Sequence, residues 1–286
     1  VRDIIAWNAL IAGYAHQGLI HEALSCYEQM QTEGLSPNAV TFVCILKACG
    51  GAKVIKTGKL IHEEIVTRNL LGKEMVLGTA LVDMYAKCGM LAKAHQLLKE
   101  LPTRDAVSYN ALIAGYAEWG KFVEALNCFE SMQNEGISPD AVTFICILKV
   151  CGTTESVEKG KQIHENIANR GLLNKDVGNA LVDMYAKCGL LEKARQVLQE
   201  FSVVCVVSCN SVILGYVQQG QDEEAMKCYA WMRTMGLSPD SITFTWLLKA
   251  CESIGAIEKG KEIHEEIVSR GFLEKDIVLG TALVDM

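Results

Sequence analysis

Apolar residues recur along this chain at the spacing of amphipathic α-helices rather than at the alternation typical of β-strands. Residues 106–140 show the pattern clearly. A first helix there carries an apolar face and ends at Gly120, and a second helix then places an apolar residue at every third position. Gly136 suits the end of that second helix, and residues 138–140, Ser-Pro-Asp, form a turn signal. The pattern therefore predicts pairs of helices joined by short turns.

The same sequence words return about every hundred residues. Residues 81–89 read LVDMYAKCG, as do residues 181–189, and NALIAGY occurs at both 8–14 and 110–116. Each period divides into a unit of 35 residues, a unit of 36 and a shorter unit of 31 or 29. The predicted units are 4–38, 39–74, 75–105, 106–140, 141–176, 177–205, 206–240 and 241–276, and a truncated unit covers 277–286.

A single helix pair cannot bury both of its apolar faces, whereas neighbouring pairs that stack on one another can. We therefore expect an all-α fold, a right-handed α-solenoid of stacked helix-turn-helix repeats with a concave groove, in one array over residues 1–286. Residues 283–286 repeat a word that lies inside a unit elsewhere, so we also expect the sequence to be part of a longer protein.

Half of the residues are hydrophobic, and the net charge is −7 from 27 Lys and Arg against 34 Asp and Glu. This balance excludes a broadly basic protein that holds nucleic acid by bulk charge, but it leaves room for a local basic face. No apolar run reaches the roughly 18 residues of a membrane span, so we expect no membrane partner. The twelve cysteines include no CxxC pair and mostly lie in apolar stretches, which indicates reduced core thiols.

The repeat words resemble those of pentatricopeptide repeat proteins of the plant PLS subclass. They are NALIAGYAEWGKFVEALNCFESMQNEGISPD at 110–140, VTFICILKVCG at 142–152 followed by EKGKQIH at 158–164, and GTALVDMYAKCG at 78–89. The Trp…Leu-Gly…Tyr pattern of tetratricopeptide repeats is missing. The resemblance implies binding of single-stranded RNA in a mitochondrion or chloroplast. It also implies recognition of C-to-U editing sites, because the PLS subclass consists mostly of such factors.

One position near the start of every first helix, here named the reader, differs in polarity between the unit types. It is Asn in the 35-residue units, Thr or Asn in the short units, and apolar or Thr in the 36-residue units. These residues are Asn8, Asn110 and Asn210, then Thr79, Asn179 and Thr281, and then Val43, Ile145 and Thr245. Asn and Thr can hydrogen-bond a base edge, so the pattern predicts one base per repeat.

The residue that closes each unit, here named the closing residue, comes directly before the next helix. Asn or Asp at this place suits an N-cap, and a role beside the reader is compatible with that. The resemblance implies a code: Thr with Asp favours G, Asn with Asp favours U, and Asn with Asn favours C. The implied pairs are Asn8/Asn38 for C, Thr79/Asp105 for G, Asn110/Asp140 for U, Asn210/Asp240 for U and, weakly, Thr245/Asp276 for G.

Three units follow the code poorly. Asn179 faces Cys205, which leaves only a pyrimidine preference, and the short unit around it leaves its register open. The pairs Val43/Glu74 and Ile145/Asp176 match no code pair. The implied site is 5′-C-n-G-U-n-Y-U-g-3′, with the N-terminus of the chain toward the 5′ end of the RNA.

An apolar residue stands three positions before most readers, one helical turn away and on the same face. These residues are Ile5, Val76, Val107 and Val207, with Val40, Val142 and Ile242 in the 36-residue units. The resemblance implies that they sandwich the bases, and ordinary packing between repeats is the alternative.

Lysines supply the local basic face that an acidic chain needs for RNA. Lys47, Lys149 and Lys249 follow the readers of the 36-residue units by four positions and should flank them. Lys87 and Lys187 should each pair with the Asp four residues before, which weakens their charge.

The remaining motifs do not indicate an enzyme. Residues 255–261 fit GxxxxGK but lack the following Ser or Thr and the preceding strand of a phosphate loop. His62 and His264 begin HxE sequences, but no PCxxC follows, so a packing role is favoured.

We therefore expect a binding module without cofactor, metal or DNA partner, with any deaminase domain outside this sequence. The alternative is a protein-binding scaffold in which the 36-residue units, with Val43 and Ile145 as readers, contact accessory editing factors.

Overall fold

The computed structural model describes residues 3–200, 205–273 and 277–285, and every regular element in these ranges is an α-helix. The helices are α1 (Ile4–His16), α2 (Ile20–Thr32), α3 (Ala39–Gly51), α4 (Ile55–Thr67), α5 (Met75–Lys87), α6 (Leu91–Glu100), α7 (Ala106–Glu118), α8 (Phe122–Asn134), α9 (Ala141–Thr153), α10 (Val157–Asn169), α11 (Lys175–Lys187), α12 (Leu191–Glu200), α13 (Val206–Gln218), α14 (Asp222–Thr234), α15 (Ser241–Ile254), α16 (Ile257–Ser269) and α17 (Ile277–Asp285). The all-α prediction is confirmed. None of the described helices is long and apolar enough to cross a membrane.

The helices form two compact units that each contain several repeats. They are Val1–Ile147, here named the first unit, and Leu148–Met286, here named the second unit. In the first unit α1, α3, α5 and α7 contact one another in chain order, and α2, α4 and α6 each pack against the helix before and the helix after. In the second unit α11, α13, α15 and α17 form the corresponding row, and α12 and α14 pack against their two neighbours. Each unit therefore has a layer of odd-numbered first helices and a layer of even-numbered second helices.

Helix ends follow the local signals of the sequence. Asp105 caps α7, accepting a hydrogen bond from the Ser108 backbone N–H while the Ser108 hydroxyl oxygen accepts one from the Asp105 N–H. Gly120 and Gly136 follow α7 and α8 with φ of 68° and 75°, the left-handed conformation that Gly adopts most easily. The predicted ends of these two helices therefore agree with the structure.

The start of α11 differs from the predicted unit boundary between residues 176 and 177. The helix begins at Lys175, because the side chain of Asn174 caps it by accepting a hydrogen bond of 3.0 Å from the Val177 N–H. Asp176 therefore lies inside the first turn and is not the residue before the helix. Asn179 follows its N-cap by five residues, as Asn110 follows Asp105, so the reader keeps the common register.

The core of each unit contains large side chains from equivalent positions of successive repeats. Phe42 is fully buried in the first unit, and Phe244 is fully buried in the second. Of the twelve cysteines, half are buried and half are partly exposed. Burial raises the pKa of Cys49 and Cys128 to about 12, so these thiols stay protonated and unreactive at neutral pH.

Asp222 is a polar residue at a position that is otherwise apolar. It is the first residue of α14, as Ile20 is of α2, and only 3% of its surface is exposed. The Ser253 hydroxyl donates a hydrogen bond to Oδ2 at 2.7 Å, but Oδ1 has no partner among the described residues. An unpaired buried carboxyl oxygen lowers the stability of the folded state.

We expect Asp222→Ile to stabilise the second unit by about 1 kcal/mol, because the orphaned oxygen disappears while exposed Ser253 turns to water. Urea unfolding of the variant beside the wild type measures this. Ile20→Val removes one methyl group at the matching position of the first unit. It serves as the control for how sensitive stability is to any change at this position. A lower unfolding midpoint for Asp222→Ile would show that the Ser253 hydrogen bond outweighs the orphaned oxygen.

Candidate nucleic-acid interface

The predicted readers occupy one place on the first helices. Where the structure describes the N-cap, the reader lies five residues after it, as Asn8 does after Asp3 and Asn210 after Cys205. The position is in the second turn, so equivalent helices that pack side by side present their readers on equivalent faces. The spacing follows from the caps, because the cap fixes where each helix begins.

The Asn readers of the 35-residue units contact the closing residues with which they were predicted to pair. The Nδ2 amide of Asn110 donates to Oδ1 of Asp140 at 3.0 Å, although the two residues are thirty positions apart. The same bond joins Asn210 to Asp240 at 3.0 Å and Asn8 to Asn38 at 3.2 Å. Asn110 is buried to all but 7% of its surface, so its amide has little freedom to turn toward water.

A threonine outside the predicted reader and closing positions completes each of these pairs. Thr143 lies three residues after Asp140, and its hydroxyl donates to Oδ1 of Asn110 at 2.6 Å. Thr41 and Thr243 make the equivalent bonds to Asn8 at 2.6 Å and to Asn210 at 2.7 Å. The available signal was the Thr-Phe dipeptide that recurs three residues after the closing residue at 41–42, 143–144 and 243–244.

Hydrogen bonds keep the carboxyl groups of Asp140 and Asp240 ionised. Burial alone would raise the pKa of Asp140, but hydrogen bonds from the Thr143 backbone N–H, the Asn110 amide and the Thr143 hydroxyl outweigh it and lower the pKa. The pKa of Asp240 is lowered in the same way by Thr243 and Asn210. At neutral pH these carboxylates are therefore acceptors only, which obliges the reader to turn its N–H toward them.

The other predicted pairs are held differently. The Cys205 thiol lies 3.4 Å from Oδ1 of Asn179, so these two residues do meet. The Thr245 hydroxyl donates to the backbone carbonyl of Ser241 in its own helix, and Asp276 lies outside the described residues. Glu74 caps α5 without a side-chain hydrogen bond, unlike the Asn and Asp caps.

The residues predicted to sandwich bases are exposed. Ile5 keeps 74% and Val107 keeps 58% of its surface in contact with solvent, although both are large and apolar. The same holds for Val76 and Val207, and for Val40, Val142 and Ile242. Packing between repeats would bury these side chains, so their exposure leaves an apolar surface one turn before the readers.

A cavity of about 520 Å³ in the first unit brings several predicted site residues together. Readers Thr79 and Asn110, closing residue Asp105 and the apolar residues Val76 and Val107 all line it. Its volume lies in the range of roughly 300–1,000 Å³ that is typical of small-ligand sites. The cavity therefore combines apolar walls with a few polar groups, as a site for a flat heterocycle requires.

The lysines near this cavity supply limited positive charge. Lys47 and Lys87 both line it, and Lys87 pairs with Asp83 at 2.8 Å as expected. In the second unit Lys187 pairs with Asp183 at 2.7 Å. We infer that only a few phosphate groups could be neutralised here.

His62 of the first HxE sequence and His164, at the equivalent position of the next 36-residue unit, contact tyrosines. His62 Nδ1 lies 2.8 Å from the Tyr85 hydroxyl, and His164 Nδ1 lies 2.9 Å from the Tyr185 hydroxyl. Burial lowers the pKa of both histidines, which favours the neutral ring. Within the described ranges, no group of three or more His, Cys, Asp or Glu side chains is placed to hold a metal ion.

The chain matches known repeat-family models and known proteins along its length. A family model for the PPR repeat family matches residues 2–51, 104–153 and 204–253, and a PPR repeat model matches residues 79–105 and 179–202. A mitochondrial pentatricopeptide repeat-containing protein of Arabidopsis thaliana is 35% identical over 287 residues, which cover 100% of this chain and 28% of the relative. A chloroplastic one from the same plant is 34% identical over 286 residues, covering 100% of this chain and 35% of the relative. The chain thus spans about a third of these relatives.

Solved structures show the same architecture. The crystal structure of the pentatricopeptide repeat protein PPR10 in complex with an 18-nt psaJ RNA element aligns with a TM-score of 0.72 and 22% identity, covering 100% of this chain and 41% of that chain. The structure of PPR10 from maize aligns with a TM-score of 0.67 and 23% identity, covering 99% of this chain and 40% of that chain. These likenesses concern the fold, and they confirm the predicted helical-repeat solenoid.

Proposed function

Because the chain belongs to the pentatricopeptide repeat family, we propose that it binds single-stranded RNA along the first helices of its units, one base per repeat. The observation that carries the proposal is the recurring reader pair. Asn110 with Asp140 and Asn210 with Asp240 form the same hydrogen bond at the same place in different repeats. A repeated polar pair beside an exposed apolar residue suits repeated flat heterocycles with polar edges.

The chemistry of one reader supports base recognition. After the bonds to Asp140 and Thr143, the Asn110 amide keeps one N–H and one lone pair on Oδ1. A uracil edge offers an N–H between two carbonyl oxygens, so one donor and one acceptor on the amide can both be used. Val107, three residues earlier and exposed, could cover one face of the ring.

Stacking and base contacts would supply most of the affinity. The net charge is −7, and the lysines in the described part of the first helices include Lys87 and Lys187, which are already paired with Asp. Each neutralised phosphate adds roughly 0.7 to the steepness with which log K falls with log salt on single strands. We therefore expect a slope of about −2 for this chain, which is shallow for a nucleic-acid-binding protein.

We further propose that the chain is of the PLS subclass and serves as the site-recognition part of a C-to-U editing factor in a mitochondrion or chloroplast. The alternation of 35-, 36- and 31-residue units supports the subclass. Relatives named mitochondrial and chloroplastic support an organellar location. Deamination would then belong to another region or another protein, and the chain by itself should not convert C to U.

A second candidate function is a scaffold for accessory editing factors, and the 36-residue repeats favour it. Their readers include Val43, which lines the cavity of the first unit and offers no hydrogen bond to a base edge. Ile145 is equally apolar. The two functions are compatible, because the other repeats keep polar readers.

Fluorescence anisotropy tests the proposal directly. The chain is titrated with labelled CAGUACUG RNA, with the same bases in scrambled order, with the matching DNA and with the RNA annealed to its complement. We expect the cognate single strand to bind at least tenfold more tightly than the scrambled strand, since several readers each contribute roughly 1–3 kcal/mol of discrimination. Equal affinity for the cognate and scrambled strands would overturn one-base-per-repeat recognition and favour the scaffold.

A further inference from the structure

The Thr hydroxyls beside the Asn readers take part in a shared network. Thr143 Oγ1 lies 2.6 Å from Asn110 Oδ1 and 2.8 Å from Asp140 Oδ1, and it accepts from the Asp140 N–H at 3.1 Å. The hydroxyl has a single hydrogen, so it can donate fully to only one of the two oxygens. Asp140 Oδ1 already accepts from the Thr143 N–H and from the Asn110 amide. The shorter distance therefore indicates that the hydroxyl donates to Asn110.

This arrangement fixes which end of the reader amide faces which neighbour. The N–H side of Asn110 faces Asp140, and the carbonyl side faces Thr143. An amide rotated by half a turn would place its oxygen against the carboxylate and leave the Thr hydroxyl without that acceptor. Thr143 is completely buried, so water cannot replace it.

The network around Asn8 shows that the hydrogen bond from Thr to the reader does not depend on the charge of the closing residue. Asn38 is neutral and could present either end of its own amide, yet it accepts from the Thr41 N–H at 3.0 Å and from Asn8 at 3.2 Å. The Thr41 hydroxyl donates to Asn8 Oδ1 at 2.6 Å. The same three bonds therefore form whether the closing residue is charged or neutral.

We propose that Thr41, Thr143 and Thr243 are positioning residues that hold the reader amide in one donor and acceptor direction, on which any distinction between uracil and cytosine depends. With the amide so held, the closing residue decides which of the two bases is preferred. This rests on the proposed RNA binding. Uracil and cytosine differ in the direction of the hydrogen bond at their central ring nitrogen, which donates in one and accepts in the other. An amide held in one orientation beside its closing residue can distinguish them, and an amide free to turn cannot.

The serines at the same capping position donate to a different acceptor. Ser108 caps α7 as Thr143 caps α9, but its hydroxyl donates to the backbone carbonyl of Asp105 at 2.9 Å. Ser208 donates in the same way to the carbonyl of Cys205 at 2.9 Å. Ser108 and Ser208 therefore do not donate to the readers Thr79 and Asn179 as Thr143 donates to Asn110.

The test compares Thr143→Val with the wild type on two RNAs that differ only by U or C at the fourth base of the implied site. Valine keeps the shape and removes the hydroxyl. We expect the preference for U over C to fall about tenfold, the effect of losing one buried hydrogen bond that orients the amide. Thr143→Ser keeps a hydroxyl at the same place and should keep most of the preference.

Ser108→Ala is the matched control, because it removes a capping hydroxyl that does not touch a reader. It should leave the preference at the fourth base unchanged. Proton exchange of the Asn110 side-chain amide, followed by NMR without RNA, gives a second readout and should be faster in Thr143→Val. Circular dichroism verifies that each variant is folded.

The outcomes separate the two proposals. Equal weakening of both RNAs by Thr143→Val, with an unchanged ratio and unchanged amide exchange, would overturn the positioning role and leave RNA recognition intact. A wild type that binds both RNAs equally would overturn base reading by Asn110, and the positioning role with it. Slower or unchanged amide exchange in a folded Thr143→Val variant would also contradict the proposal.

Discussion

Asn110→Thr should reverse the base preference at the fourth position of the implied RNA site from U to G. The change leaves a single hydroxyl beside Asp140, which is the combination that the chain already has at Thr79 and Asp105. One well-formed base contact contributes roughly 1–3 kcal/mol of discrimination, or about tenfold in relative affinity. Because the wild type is expected to favour U and the variant G, the affinity ratio should change by about a hundredfold in total.

Equilibrium binding to two RNAs that carry U or G at the fourth base measures this reversal. Asn210→Thr is the matched control, since Asn210 makes the same hydrogen bond to its own closing residue, Asp240. It should change the preference at the seventh base and leave the fourth base as in the wild type. If both variants changed affinity for all RNAs by the same factor, neither Asn would be a base reader.

Gly115→Ala should destabilise the first unit by about 1–3 kcal/mol, the cost of an extra methyl group in a packed contact. Gly115 lies where α7 packs against α5, and a Cβ added there would come 2.5 Å from the Cβ and 3.3 Å from the Cα of Ala86. The obstacle is backbone and a methyl group rather than the end of a flexible side chain, so the two helices must move apart.

Gly13→Ala is a control with the same local sequence. Both glycines lie in the word NALIAGY, but a Cβ on Gly13 would meet no atom within 4 Å. Alanine there should stabilise α1 by up to about 1 kcal/mol, because Gly is a poor helix former. Chemical denaturation of both variants gives the comparison. Equal effects of the two substitutions would show that helix propensity, and not the contact between α5 and α7, decides stability at this position.

Most of the fold could be predicted from the sequence because its signals are local. Periodic apolar residues, the Gly that ends α7 and the Asp that caps it all lie within a few residues of the helix that they define. Repetition strengthened each signal, since the same words occur in several copies. The all-α architecture followed from these observations, whereas the pairing of Asn110 with Asp140 followed from the resemblance to pentatricopeptide repeats.

The start of α11 could not be predicted because two good caps compete there. Asn174 and Asp176 lie two residues apart, and both residue types favour the N-cap. The structure selects Asn174, which bonds the Val177 N–H and allows Val177 to be completely buried. Packing against the rest of the unit decided between them, and a short stretch of sequence does not contain that information.

The role of Thr143 was missed for a similar reason. Its local role as a capping residue is readable from the sequence, whereas its partner Asn110 lies 33 residues earlier in another repeat. Only the packing of successive first helices brings the two side chains to 2.6 Å. Contacts between repeats therefore carry the part of the site that periodicity does not reveal.

Selection from a randomised pool of single-stranded RNA tests the central claim most directly. The immobilised chain is offered the pool, and the bound RNAs are sequenced over several rounds. The account predicts enrichment of 5′-C-n-G-U-n-Y-U-3′, with U at the positions assigned to Asn110 and Asn210 and no preference at those assigned to Val43 and Ile145. A bound pool without a common sequence, or one whose conserved bases fall at the Val43 and Ile145 positions, would contradict it.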